Sequence, residues 1–154
     1  MKHAILFVCL GNICRSPMAE AVMRDMIRRE GLADRVTVDS AGTGDWHVGH
    51  PPHEGTRRLL DKRGIGYAGQ RARRLTAQDG EQFDLIVAMD RSNERDIRAI
   101  LGPAPRAKIV RLMSLLPDRG HDDVPDPYYT GNFEEVFELV RAGCERLLES
   151  VRAK

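Results

Sequence analysis

The sequence lacks the features that mark several classes of protein. Its 154 residues include only three cysteines, an odd number, so a closed set of disulfides is not available and a reducing, cytoplasmic location is expected. The net charge of +1 gives no field that would attract nucleic acid or a membrane surface. No apolar run approaches the length of a membrane span, and the apolar start of the chain is too short for a signal peptide and lacks a cleavage site.

Repeats, low-complexity tracts and linkers are also missing. The five histidines, at positions 3, 47, 50, 53 and 121, have no spacing typical of a metal site, and neither a metal nor an organic cofactor is expected. Hydrophobic residues make up 42% of the chain and charged residues 31%, as in ordinary globular proteins. We therefore predict a single domain over residues 1–154 and a monomer, with weak self-association left open.

Apolar strands alternate with amphipathic helices along the chain. The predicted strands are residues 4–8, 36–39, 83–89 and 107–112, and the predicted helices are residues 17–30, 53–63, 91–101 and 133–151. Such alternation predicts an α/β fold with a four-stranded parallel sheet and helices on both faces. Sites in these folds lie at the carboxyl ends of strands, and Cys9, Ser40 and Asp90 all fall at such ends.

Residues 9–17, with the sequence CLGNICRSP, lie between the first predicted strand and the first helix. The backbone N–H groups of this turn can surround one tetrahedral anion, and the helix dipole directs its positive end to the same point. A thiol at Cys9 is expected to be a nucleophile at neutral pH there. Arg15 provides a planar fork that matches two phosphate oxygens. The segment therefore predicts a phosphate-binding loop with a nucleophile at its floor.

Other residues of this region have ordinary structural interpretations too. Ser16 before Pro17 is a typical N-cap pair, and Cys14 fits as a small loop filler. Asp90 is an expected N-cap that can also hold Arg15, whereas Cys144 lies on the apolar stripe of the last helix and is expected in the core.

Cleavage of a phosphate ester also needs a general acid, because an alcohol or phenol leaves poorly as an anion. Asp122, Asp123 and Asp126 lie in one loop-like segment, residues 121–130, and each of them can also be a solvated loop residue. Pro125 and Pro127 stiffen the backbone around Asp126, which suits a positioned acid.

Five motifs together resemble the low-molecular-weight protein tyrosine phosphatases. They are CLGNICRSP near the start of the chain, DSAG at residues 39–42, DW at 45–46, MDRSN at 89–93 and DPYY at 126–129. The resemblance extends over nearly the whole chain. It implies hydrolysis of phosphotyrosine in proteins, and of small aryl phosphates, through a cysteinyl-phosphate intermediate on Cys9. It also selects Asp126 as the general acid, with Arg15 as the third catalytic residue.

The resemblance assigns roles to further residues. It implies that a phosphate-binding loop at residues 10–16 holds the phosphate, that Asn12 shapes this loop and that Ser16 bonds to the Cys9 sulfur. It implies a Cys9–Cys14 disulfide under oxidation. It also implies a deep slot for a flat ring, although local loop packing is an alternative for Trp46. The residues of the phosphate-binding loop are Leu10, Gly11, Asn12, Ile13, Cys14, Arg15 and Ser16, and those of the slot are Leu10, Trp46, Tyr128 and Tyr129.

Gln70 departs from the family pattern, which usually has a histidine there that braces the loop. Glutamine can donate and accept hydrogen bonds but cannot take a charge. We therefore expect the replacement to affect the rigidity of the phosphate-binding loop and the pH dependence of the enzyme, and not the chemistry itself. The neighbouring Arg71, Arg73 and Arg74 are interpreted as a solvated basic cluster.

Other functions found on similar scaffolds fit these residues less well. An arsenate reductase needs two more shuttling cysteines downstream, and none lies between Cys14 and Cys144. A phosphoryl carrier lacks the pair of Arg15 and Asp126, and a phosphopeptide-binding module has no need of a thiol. Protein-arginine phosphatases of this family typically have threonine at the position of Ile13, so isoleucine favours phosphotyrosine.

Overall fold

The computed structural model describes residues 3–120 and 122–153, so His121 lies outside the described residues. It contains four strands: β1 (His3–Cys9), β2 (Val36–Gly42), β3 (Leu85–Ala88) and β4 (Lys108–Arg111). They form one parallel sheet in the order β2-β1-β3-β4, which confirms the predicted four-stranded sheet. Cys9 pairs with Gly42 and Val8 pairs with Ala88, so the strands β1, β2 and β3 end at the same edge.

Helices follow the strands. They are α1 (Arg15–Arg29), α2 (Glu54–Lys62), α3 (Asp79–Gln82), α4 (Arg91–Leu101), α5 (Pro127–Thr130) and α6 (Phe133–Arg152), with 3₁₀ turns at Leu112–Leu115 and Pro117–Arg119. Side chains alternate across β1, so Ile5 and Phe7 pack with α1, α2 and α6, whereas Leu6 and Val8 pack with α4 on the other face. The predicted helices on both faces are thereby confirmed, and Cys144 lies in the core as expected.

Two local predictions near the site were wrong. Helix α1 begins at Arg15 with Cys14 as its N-cap residue, so Ser16 is not the cap. Pro17 is the third helical residue, where its missing N–H needs no intrahelical partner. Strand β2 runs on to Gly42, so Ser40 lies inside the strand and not at its end.

The segment predicted as a loop around Asp126 contains the short helix α5. No helix in the described part of the chain is both long and apolar enough to cross a membrane.

Candidate active site

The loop that connects β1 to α1 has the geometry of an anion cradle. Asn12 adopts a left-handed backbone with φ of 56°, a conformation that asparagine tolerates better than most residues. The backbone N–H groups of residues 11–14 donate to no backbone acceptor in the described part of the chain. They precede the positive end of α1, whose first turn contains no acidic residue. Such free donors at a helix N-terminus favour an oxyanion.

A buried chain of hydrogen bonds extends from the thiol of Cys9. Its Sγ lies 3.0 Å from Oγ of Ser16. Nδ2 of Asn12 donates to Oγ of Ser16 at 2.8 Å and to Oγ of Ser40 at 3.0 Å, and Ser40 donates to Oε1 of Glu20 at 2.6 Å. Because Ser16 accepts from Asn12, its own O–H is free to donate, and the Cys9 sulfur at 3.0 Å is nearer than the other available acceptor, the carbonyl of Ala41 at 3.5 Å. The predicted contact between Ser16 and Cys9 is confirmed.

The guanidinium of Arg15 is almost fully buried and is held by three oxygens. Nη1 donates to Oδ2 of Asp90 at 2.7 Å and to the carbonyl of Val124 at 2.9 Å, and Nη2 lies 3.5 Å from Oδ2 of Asp126. Burial lowers the pKa of Arg15, but the nearby Cys9, Asp90 and Asp126 raise it above the usual arginine value. Arg15 is therefore a permanent cation, and the expected bond to Asp90 is confirmed.

Asp90 and Asp126 both begin helices, which explains why their carboxylates are fixed. Asp90 caps α4 by accepting from the backbone N–H of Asn93 at 2.6 Å. Asp126 caps α5 in the same way, accepting from the N–H of Tyr128 at 3.1 Å. Each carboxylate uses its second oxygen toward Arg15. The side chain of Asp126 is partly exposed to solvent.

A cleft of about 200 Å³ opens above the loop. It is lined by Cys9, Leu10, Gly11, Ile13, Cys14, Arg15, Trp46, His47, Asp126, Tyr128 and Tyr129. The residues of the predicted slot, Leu10, Trp46, Tyr128 and Tyr129, all lie on its walls. The rings of Tyr128 and Tyr129 meet edge to face with centroids 5.3 Å apart. The cleft therefore joins a polar floor to aromatic walls.

The second thiol of the loop differs from the first. Burial raises the pKa of Cys14 to about 12, and the neighbouring Cys9 and Asp126 act in the same direction. Cys14 consequently stays protonated at neutral pH. It does not compete with Cys9 as a nucleophile, because the thiolate is the reactive form. All three cysteines are free thiols.

The side chain of Gln70 bonds to the start of α1, just after the phosphate-binding loop. Its Nε2 donates to the carbonyl of Pro17, in the first turn of α1, at 3.2 Å. Its Oε1 is buried and has no hydrogen-bond partner in the described part of the chain. The glutamine thus supplies one hydrogen bond and no charge.

The prediction of a solvated basic cluster was wrong for Arg73. Its guanidinium makes two bonds of 3.1 Å to Asp79 and one of 3.3 Å to Asp39. Its backbone N–H donates to Oδ1 of Asn12 at 3.0 Å. Arg73 therefore supports the residue that shapes the loop, whereas Arg71 and Arg74 are exposed as predicted.

Histidines border the cleft without forming a metal centre. Within residues 3–120 and 122–153, no three side chains of histidine, cysteine, aspartate or glutamate come together in a way that could hold a metal. His53 caps α2 through Nδ1, which accepts from the N–H of Gly55 at 3.0 Å. Its ring stacks on Phe133, with centroids 5.4 Å apart, and meets the edge of Tyr128 at 5.8 Å. His53 therefore supports an aromatic wall of the cleft.

Sequence reasoning missed several participants. Glu20 accepts from Ser40 and pairs with Arg24 at 2.7 Å, Val124 contributes a main-chain oxygen to Arg15, and the backbone of Arg73 holds Asn12. Glu20 has a detectable signal, because a buried glutamate on the core side of an amphipathic helix needs a polar partner. The other two contacts use main-chain atoms, which leave no trace in residue type.

The sequence matches a model of the family described as "Low molecular weight phosphotyrosine protein phosphatase" over residues 4–154. It is 51% identical over 149 residues to the low molecular weight protein-tyrosine-phosphatase YfkJ of Bacillus subtilis, covering 97% of this chain and 96% of that protein. It is 45% identical over 147 residues to PtpA of Staphylococcus epidermidis, which is also described as a low molecular weight protein-tyrosine-phosphatase, covering 96% and 92%.

Solved structures of other proteins have the same fold as this chain. The crystal structure of YfkJ from Bacillus subtilis superposes with a TM-score of 0.96 at 50% identity, covering 99% of this chain and 96% of that one. The crystal structure of DARP, described as a Drosophila arginine phosphatase, superposes with a TM-score of 0.88 at 37% identity, covering 97% of both chains.

Proposed function

The chain belongs to the low molecular weight phosphotyrosine protein phosphatase family, and from this we propose that it hydrolyses phosphotyrosine in proteins through a phosphorylated Cys9. The observation that carries the proposal is the convergence of Cys9, Arg15 and Asp126 on one cleft above a loop of free backbone N–H groups. A nucleophile, a fixed cation and a carboxyl group are the three parts that this reaction requires.

In the first step, the Cys9 thiolate attacks phosphorus in line with the tyrosyl oxygen. The sulfur–phosphorus bond forms as the phosphorus–oxygen bond breaks, and Asp126 gives its proton to the departing phenolate. The loop N–H groups and Arg15 hold the equatorial oxygens, where negative charge is greatest. Asp126 is suited to this role because it is partly exposed and its carboxylate is oriented by the cap of α5.

In the second step, water attacks the phosphorus of the cysteinyl phosphate. Asp126, now a carboxylate, takes a proton from that water as the oxygen–phosphorus bond forms. The sulfur–phosphorus bond breaks, inorganic phosphate is released and Cys9 returns as a thiolate. The Ser16 hydroxyl, 3.0 Å from the sulfur, stabilises this leaving thiolate.

The cleft favours a phenyl ring over a guanidinium group. Ile13 adds an aliphatic side chain to a wall that also includes Trp46 and Tyr128. A ring buries apolar surface there, whereas the N–H groups of phosphoarginine would lose water against Ile13 and Trp46, whose side chains accept no hydrogen bond. The structural similarity to a Drosophila arginine phosphatase makes phosphoarginine the second candidate substrate.

One chain supplies the nucleophile Cys9, the cation Arg15 and the acid Asp126 to the same cleft, so the proposed reaction requires no second copy and we propose action as a monomer. The reaction requires Cys9 as a free thiolate, and this requirement supports a reducing compartment, the cytoplasm, as the place of action.

Two assays on purified protein test the proposal. We expect turnover of p-nitrophenyl phosphate in the presence of EDTA, no turnover by Cys9→Ser, and a much higher kcat/KM for a phosphotyrosine peptide than for matched phosphoserine and phosphoarginine peptides. Substantial activity in Cys9→Ser would contradict the mechanism. A preference for phosphoarginine would leave the mechanism in place and contradict the substrate.

A further inference from the structure

Most of the large apolar side chains that are exposed in residues 3–120 and 122–153 lie at the cleft. In the described part of the chain, the large hydrophobic residues that are exposed are Trp46 (68%), Val48 (53%), Tyr128 (54%) and Tyr129 (76%). Three of them line the cleft, and Val48 lies two residues beyond Trp46 without lining it. A cluster of exposed apolar side chains usually marks a surface that binds something. We call these four residues the apolar rim.

The half of the apolar rim that contains Trp46 and Val48 is held in place by backbone hydrogen bonds. The N–H of Gly44 donates to the carbonyl of Leu10 at 2.9 Å, and the N–H of Gly49 donates to that of Ala72 at 2.8 Å. A Cβ on Gly44 would lie 1.9 Å from the Trp46 ring, so the indole packs directly on the glycine backbone. The rim is therefore a preorganised surface, and binding to it requires little ordering.

A peptide substrate has to cross this rim. The cleft, at about 200 Å³, has room for little more than one phosphorylated ring. When a phosphotyrosine side chain is inside, the residues on either side of it in the peptide lie at the mouth of the cleft. Trp46 and Tyr129 line the cleft and are exposed, so they are surfaces that these residues can meet, and the exposed Val48 follows Trp46 by two residues.

The charges beside the rim do not favour acidic neighbours. Asp45 adjoins Trp46 and is exposed, and Arg74, 3.8 Å away and also exposed, neutralises it only weakly. An acidic side chain next to the phosphotyrosine would meet this carboxylate and would cover none of the apolar surface.

We propose that the apolar rim binds a large apolar side chain adjacent to the phosphotyrosine of the substrate, with Val48 as a specificity-determining residue. The proposal rests on the phosphotyrosine phosphatase activity and narrows its substrates to phosphotyrosines with aliphatic or aromatic neighbours. Val48 is the informative position, because the other three rim residues also line the cleft and affect every substrate.

The test uses three phosphotyrosine peptides that differ only in the two residues next to the phosphotyrosine, which are leucine, serine or aspartate. Their kcat/KM values are divided by that for p-nitrophenyl phosphate, which has no neighbours. In the parent enzyme we expect the leucine peptide to exceed the aspartate peptide by about tenfold, with the serine peptide between them. Val48→Ser should reduce the preference for leucine over serine by about threefold, and the matched control Val48→Ile should retain it.

Equal values for the three peptides in the parent enzyme would overturn the proposal, as would an unchanged preference in Val48→Ser. Both outcomes would leave the phosphatase activity standing. Failure to turn over any of the three peptides, with p-nitrophenyl phosphate still hydrolysed, would overturn the phosphotyrosine assignment and this proposal with it.

Discussion

Arg15 and Asp90 are 75 residues apart in the chain and are joined by a hydrogen-bonded ion pair of 2.7 Å. Arg15 opens α1 after the phosphate-binding loop, and Asp90 caps α4 after β3. The pair therefore connects the ends of two adjacent strands of the sheet. It holds the guanidinium of Arg15 at the cleft.

The first prediction concerns this pair. Asp90→Ala should lower kcat/KM for p-nitrophenyl phosphate by about tenfold or more, equivalent to roughly 1.4 kcal/mol, because Arg15 loses its shortest contact. Asp90→Asn should lose less, since asparagine is also a good N-cap and can accept from Arg15. Asp123→Asn is the matched control, because Asp123 also bonds the start of α4, through Arg91, without touching Arg15. An Asp90→Ala enzyme as active as this control would contradict the role of the pair.

The second prediction concerns the general acid. Asp126→Asn should slow aryl phosphates with poor leaving groups far more than those with good ones, because only poor leaving groups need a proton. Asparagine can still accept from the N–H of Tyr128, so the backbone of α5 is preserved. The measurement is the dependence of kcat/KM on the acidity of the leaving phenol, in parallel with the pH–rate profile, which should lose one limb. Equal slowing of all substrates would move the role to another residue, and Asp122→Asn is the control for a neighbouring loop carboxylate.

The third prediction concerns oxidation. Peroxide should convert the Cys9 thiolate to a sulfenic acid. The Cys14 sulfur then attacks the Cys9 sulfur, so that the sulfur–sulfur bond forms as the sulfur–oxygen bond breaks and water is released. A thiol reductant should restore activity in the parent enzyme and in Cys144→Ala, but only in part in Cys14→Ser, which has no second sulfur in the loop. Full recovery of Cys14→Ser would show that Cys14 gives no protection.

The same reaction has a predicted pH dependence. Because the pKa of Cys14 is raised to about 12, its attacking thiolate is scarce at neutral pH and increases as pH rises. Closure of the disulfide after a pulse of peroxide should therefore accelerate from neutral to mildly alkaline pH, as measured by the loss of free thiols. A closure rate that does not change with pH over this range would contradict the proposal that the raised pKa of the buried Cys14 thiol limits formation of the disulfide.

The parts of the site that are local in sequence were predictable. The apolar run of β1, the loop of residues 9–16 and the stripe of α6 identify themselves by periodicity and spacing, and the structure contains them nearly as predicted. Helix α5 was missed because it has only four residues, fewer than a periodic pattern needs. The extension of β2 through Ser40 was missed because β2 continues by pairing with β1, not by its own apolar pattern.

The contacts that site residues make with residues distant in the sequence were less predictable. The bond from Arg15 to the carbonyl of Val124 spans 109 residues and uses a main-chain atom, so no residue type signals it. The pairing of Arg73, which is half-buried, depends on Asp39 and Asp79, which lie on β2 and α3. A run of arginines in a polar stretch has the same composition whether it is solvated or paired, and only the tertiary fold decides between the two.

The most direct test of the account is to observe the phosphorylated cysteine. Rapid acid quenching of Asp126→Ala during turnover of an aryl phosphate, followed by peptide mapping with mass spectrometry, should find one phosphoryl group on the peptide that contains Cys9, because the second step lacks its base. The parent enzyme should show the same adduct in smaller amount, and Cys9→Ser should show none. An enzyme that turns over the substrate while Cys9 never carries phosphate, or that carries phosphate elsewhere, would contradict the account.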